Sequence, residues 1–142
     1  MRIDKDTDIA VRNLKRKKDG TTLTRFYLFT GRVRSAVSKL ATSSSKFEYQ
    51  TRAAIAGVGG TPPFIVEYIR GQMRVGLLGK IGERGELYVQ AFDPAKSKVK
   101  LVSGMRTLID DGKAPKEPFA IAPERFDQII KELPFQSPPQ EK

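Results

Sequence analysis

Neither cysteine nor histidine occurs in the sequence. The first absence excludes disulfides and a thiolate nucleophile. The second removes the commonest general base, and with both gone the ordinary zinc ligands are missing. No apolar run approaches the roughly 18 residues that a membrane-spanning helix needs. The opening residues, Met1-Arg2-Ile3-Asp4-Lys5-Asp6, lack the apolar stretch of a secretory signal. A cytoplasmic or nucleoid-associated location is the expectation, with no membrane partner. There is no internal repeat and no long linker.

Acidic residues are also scarce, 16 against 26 Lys and Arg, for a formal charge of +10. The excess is unevenly placed. Residues 1–40 carry +7, residues 41–106 carry +5 and residues 107–142 carry −2. A basic field of this size attracts polyanions, and nucleic acid is the commonest such partner. Charged residues make up 30% and hydrophobic ones 39%, a balance that supports a folded core. The length of 142 residues fits one domain, read as residues 1–135, with a disordered proline-bearing tail over 136–142.

Asp8–Lys15 reads as a strand with imperfect alternation, Asp19-Gly20 as a turn, and Thr22–Thr30 as a return strand, making a β-hairpin with a basic tip. Gly31–Leu40 is ambiguous. Val33, Ala36, Val37 and Leu40 have helical spacing, yet the segment could equally extend the strand. Lys46–Val58 begins with clear alternation, and Gly57–Pro63 is a turn cluster. Phe64–Arg70 and Gln72–Leu78 read as strands joined at Gly71. Glu86–Phe92 and Ser97–Val102 pair across Asp93–Lys96. Gly104–Pro118 reads as a loop within which Met105–Ile109 could be ordered. Pro123 then opens an amphipathic helix with Phe126, Ile129, Ile130 and Leu133 on one stripe, which is expected to serve oligomer and helix packing, and Pro134 stops it. The expected fold is α+β: a mostly antiparallel sheet of six or seven strands with a C-terminal amphipathic helix.

Catalysis finds little support. Asp110-Asp111 is the only adjacent acidic pair, and Gly112 after it suggests a turn. Gly76–Ile81 fails as a phosphate loop, because Ile81 stands where a hydroxyl must hold magnesium. The stronger pattern is basic residues interleaved with aromatics. Arg25, Tyr27 and Phe29 share one strand face, as do Phe47 with Tyr49, and Phe64, Val66, Tyr68 and Arg70. Rings that stack on bases beside cations that track phosphates suit a single strand, at about 1–3 kcal/mol per stacked base. Phenylalanines on strands are more naturally core, whereas tyrosines tolerate water. The expected nucleic-acid contacts are therefore Arg25, Tyr27, Tyr49, Tyr68, Arg70, Lys98 and Lys100, with Arg16, Lys17 and Lys18 assisting from the hairpin tip.

Pro123, Glu124, Phe126, Gln128 and Ile129 match the spacing of the helix in the single-stranded DNA-binding transcriptional positive cofactor family. The chain resembles that family, and the related Whirly fold, over its C-terminal third. The resemblance implies single-stranded DNA binding on a curved sheet, in an oligomer whose helices pack together. It transfers no binding residue, because the matched positions build the helix.

These readings converge on a non-catalytic protein that binds nucleic acid, single-stranded DNA before RNA, with low sequence specificity and no cofactor or metal. A homo-oligomer is expected. The rivals are an assembly subunit of a virion or ribonucleoprotein, and a metal-dependent enzyme using Asp110, Asp111 or Glu67.

Overall fold

In a computed structural model, the structure describes residues 2–18, 20–37, 46–58, 61–78, 86–91 and 98–132. Eleven strands form one continuous sheet: β1 (Arg2–Ile3), β2 (Asp8–Arg16), β3 (Thr22–Val37), β4 (Lys46–Gln50), β5 (Ala54–Val58), β6 (Thr61–Ile69), β7 (Gln72–Leu77), β8 (Glu86–Ala91), β9 (Lys98–Val102), β10 (Met105–Asp110) and β11 (Phe119–Ala120). One helix, α1 (Pro123–Glu132), follows.

β3 organises the molecule. It is 16 residues long and changes neighbours midway. Its first half pairs with β2 on one edge and, in parallel, with β4 on the other. Its second half pairs with β1 and with β6. Two arms leave this shared strand. One runs β6-β7-β10-β11 and the other β4-β5-β8-β9. The sheet then curls until β9 meets β7 and β10.

Alternation dictates which side of each arm turns inward. In β9 the lysines Lys98 and Lys100 face water while Val99 and Leu101 are buried. In β8 Leu87, Val89 and Ala91 are buried against Glu86, Tyr88 and Gln90 outside. Val66, Met73, Val75, Leu77 and Ile109 of the first arm meet Leu87, Val89, Val99 and Leu101 of the second in one core. Each such side chain stabilises the fold by about 1.5–3 kcal/mol when fully buried. A smaller cluster of Ile65, Leu78 and Ile121 covers the opposite face of the first arm.

The α+β expectation is corrected: among the described residues the architecture is nearly all β, with eleven strands in place of six or seven and only the short α1 beside the sheet. The ambiguous stretch after Gly31 continues β3 to Val37, because pairing on both edges overrides its helical spacing. Within Gly104–Pro118, read as a loop with an ordered stretch at Met105–Ile109, that stretch is β10, whose Thr107 and Ile109 are buried. The short α1 touches the sheet through Arg125, 3.5 Å from Glu67. The side chains of Pro123, Phe126, Ile129 and Ile130, and all of Leu133 and the tail, lie outside the described residues.

Candidate functional site

The aromatic residues expected to face a ligand mostly turn inward. Tyr49 is 0% exposed and sits at the centre of an aromatic cluster. Its ring lies 5.4 Å from Phe26, 5.6 Å from Phe47 and 5.9 Å from Phe64. Its hydroxyl is 2.5 Å from Ser35 Oγ. The cause is register. Parallel pairing sets Tyr49 beside Phe26, and β5 offers it Ala56, a side chain small enough to leave room for a ring. Tyr68 is 8% exposed, and its hydroxyl donates to both carboxylate oxygens of Asp111 at 2.7 and 2.8 Å. Arg70 is not on the Tyr68 strand face. Arg70 and Gly71 have φ of 53° and 77° and form the two-residue turn between Ile69 and Gln72.

Register does bring some of the expected residues together. One row across the outer face of the second arm runs Arg25, Glu48, Gly57, Tyr88, Lys100. The next row runs Ala10, Tyr27, Gln50, Ile55, Gln90, Lys98. Acids on this face engage its cations. Arg25 is 2.8 Å from Glu48, and Lys100 is 3.1 Å from Glu86. Its rings are engaged as well. Arg12 stands 4.8 Å over Tyr27, which packs 4.6 Å from Phe29, and Lys98 stands 4.5 Å over Tyr88. Arg16, Lys17 and Lys18 project at the hairpin tip, exposed and apart from these rows.

The carboxylates considered for metal chemistry are dispersed into structural bonds. Asp110 accepts from Gln72 Nε2 at 3.0 Å, Asp111 from Tyr68, and Glu67 from Arg125. No group of three acidic side chains that could hold a metal occurs among the described residues. No described helix is long and apolar enough to cross a membrane.

What the sequence reading missed is the edge formed by β2. Among the described residues β2 pairs with β3 alone, so its second edge is open. Leu14 is 77% exposed and Val11 59%, the highest values of any large apolar side chain described. Pairing with Thr24 and Phe26 places them on the face that Ile9 and Phe26 share with the core. A register shift between Val11 and Asn13 leaves Arg12 unpaired as a bulge. The signal was in the sequence: Leu14 is an apolar residue followed by four cations, at the point where alternation in Asp8–Lys15 fails.

The buried tyrosines give the fold an alkaline limit. Burial pushes the Tyr49 phenol up to about 12. Burial, then the bond to Asp111 and its charge, push Tyr68 to about 12. An unfolded tyrosine ionises near 10. A folded pKa above the unfolded one means this stability is complete below pH ~10 and is lost as pH rises toward ~12. We expect the urea midpoint to hold steady up to pH ~10 and then fall, with Tyr49 alone accounting for roughly 3 kcal/mol. An unchanged midpoint at pH ~11.5 would contradict this assignment.

No family profile matches the sequence, and a search of curated proteins returns no match. Two solved structures from Parabacteroides distasonis, each described as a candidate anti-sigma factor, share the fold. One has a TM-score of 0.58 at 12% identity over 92% of this chain, and the other 0.53 at 16% identity over 78%. The chain spans 63% and 48% of those proteins respectively. The single-stranded-DNA reading is corrected on these grounds. Its expected stackers Tyr49 and Tyr68 are buried, and the two solved structures that share the fold are described as candidate anti-sigma factors.

Proposed function

We propose that this chain is a non-catalytic regulatory module that acts by holding a protein partner, as an anti-sigma factor holds a sigma factor. The observation that carries the reading is the curled sheet shared with the two anti-sigma candidates over most of the chain. Two further features agree with it. The space between the arms is filled by side chains, so recognition falls to surfaces and edges. The absence of histidine and cysteine removes the commonest catalytic groups.

Sigma factors from the source cell, purified singly, would be mixed with the chain and passed over a sizing column. Co-elution with one of them, and a matching loss of run-off transcription by the polymerase carrying that sigma factor, is the expected result. If no sigma factor co-elutes at micromolar concentration, the proposal fails.

A further inference from the structure

β2 carries the strongest unexplained surface. A long open edge exposes unpaired backbone groups, and natural sheets blunt it with charge, proline or bulges. Here the bulge at Arg12 interrupts the edge only on the Asp8 side of Asn13. From Asn13 to Arg16 the strand is regularly paired with β3, and Leu14 stands on it almost fully exposed.

Backbone geometry shows what that stretch offers. Lys17 N–H donates to the Thr21 carbonyl at 2.8 Å, which makes Lys17 and Thr21 a bonded pair. Bonded and non-bonded pairs alternate in an antiparallel ladder. Lys15 is therefore bonded to Leu23 of β3, whereas Leu14 and Arg16, in the non-bonded pairs, direct their N–H and C=O groups away from β3, to the open side.

Side chains specify the occupant. Leu14 lies on one face, and Lys15 on the other. Arg12, Lys15, Arg16, Lys17 and Lys18 surround the stretch, and Asp8 is the one acid described in residues 8–18. A complementary strand would set an apolar side chain beside Leu14 and carboxylates beside Lys15 and the tip. A second copy of this chain would set the cationic stretch against itself, and like charges directly opposed across strands are destabilising.

Building on the protein-partner reading above, we infer that the open edge of β2 over Asn13–Arg16 is a docking strand. It takes an acidic segment of the partner with alternating apolar residues and adds that segment to the sheet as a further strand. Backbone hydrogen bonds would supply affinity, and the alternation of side chains would supply specificity.

The probe is a synthetic peptide alternating valine and glutamate, with affinity measured by fluorescence anisotropy against the full chain. Three comparison ligands are polyglutamate, a valine–lysine peptide, and the valine–glutamate peptide N-methylated at alternate residues. Only the unmethylated valine–glutamate peptide is expected to bind well. Leu14→Ser, whose fold is checked by circular dichroism, should bind it roughly tenfold more weakly. Equal binding of polyglutamate or of the N-methylated peptide would reduce the site to charge and overturn the inference, as would no binding at all. A dimer of the chain that Leu14→Ser dissolves would assign the edge to a second copy and overturn it too. The sizing-column assay separates the two claims. A sigma factor that co-elutes equally with the parent chain and with Leu14→Ser refutes the docking strand and leaves the function standing. Patterned peptide binding without any sigma-factor complex refutes that function and leaves the docking strand standing.

Discussion

Gly31→Ala is expected to prevent the chain from folding. Gly31 has φ of 111°, a conformation that side chains with a Cβ rarely adopt. It also has no room. A Cβ at this position would lie 2.3 Å from Thr7 Oγ1 and 2.6 Å from Thr7 Cα. Backbone cannot swing aside as a side-chain tip can. Thr7 is fixed because its hydroxyl accepts from Arg32 N–H at 3.1 Å and faces the Arg32 carbonyl at 3.3 Å. Asp4 reinforces the same point: its N–H donates to the Arg32 carbonyl at 3.0 Å, and its carboxylate lies 2.8 Å from the Arg32 guanidinium. Gly31 is where β3 passes from the β4 arm to the β6 arm, so displacing it separates the two. Strained φ and overpacking together cost about 3 kcal/mol or more, a large share of a typical domain's stability. Loss of the cooperative urea transition would be the readout, with Gly20→Ala as control. Gly20 also has positive φ but meets no atom within 4 Å, so its cost is strain alone.

Tyr49→Ala should be nearly as damaging. The substitution removes a fully buried ring from contact with Phe26, Phe47 and Phe64. Core aromatic truncations cost about 3–5 kcal/mol, because neighbours collapse only partly into the cavity. Tyr49→Phe keeps the ring and deletes the bond to Ser35, a loss of about 1–3 kcal/mol for a buried hydroxyl left behind. The ordering parent, then Phe, then Ala in urea midpoint is the expected result. A Tyr49→Ala chain as stable as the parent would mean that the ring faces water. Tyr27→Ala offers the contrast. That ring is half-buried on the outer face, and its loss should be tolerated far better.

Strands were readable wherever a turn residue and an alternating pattern coincided. The hairpin of β2 and β3, the β6–β7 pair and the β8–β9 pair all lie close to where Asp19-Gly20, Gly71 and Asp93–Lys96 suggested. Two features resisted. Parallel pairing of β4 with β3 leaves no local mark, because parallel neighbours show no hairpin signature in sequence. The inward face was also hard to choose. Lys46–Gln50 alternates cleanly, yet alternation says only that Tyr49 and Glu48 point apart. Which one is inside depends on Phe26, Phe64 and Ala56, all distant in sequence. The same gap misdirected the functional reading. Tyrosine tolerates water, but Tyr49 and Tyr68 each found a buried or half-buried hydroxyl partner and went inward. The real irregularity, Leu14 among cations, looked like noise in a strand pattern.

β3 spans 16 residues, roughly 50 Å when extended, and every route from one arm to the other along the hydrogen-bonded ladder crosses it. It serves as the molecule's keel. Pulling on either arm loads this single strand, because each arm is paired to it directly. Splitting the chain between residues 22 and 37 would deprive both fragments of the same wall. The two arms therefore stand or melt as one unit, and a partner that grips β2 holds the strand to which both are moored.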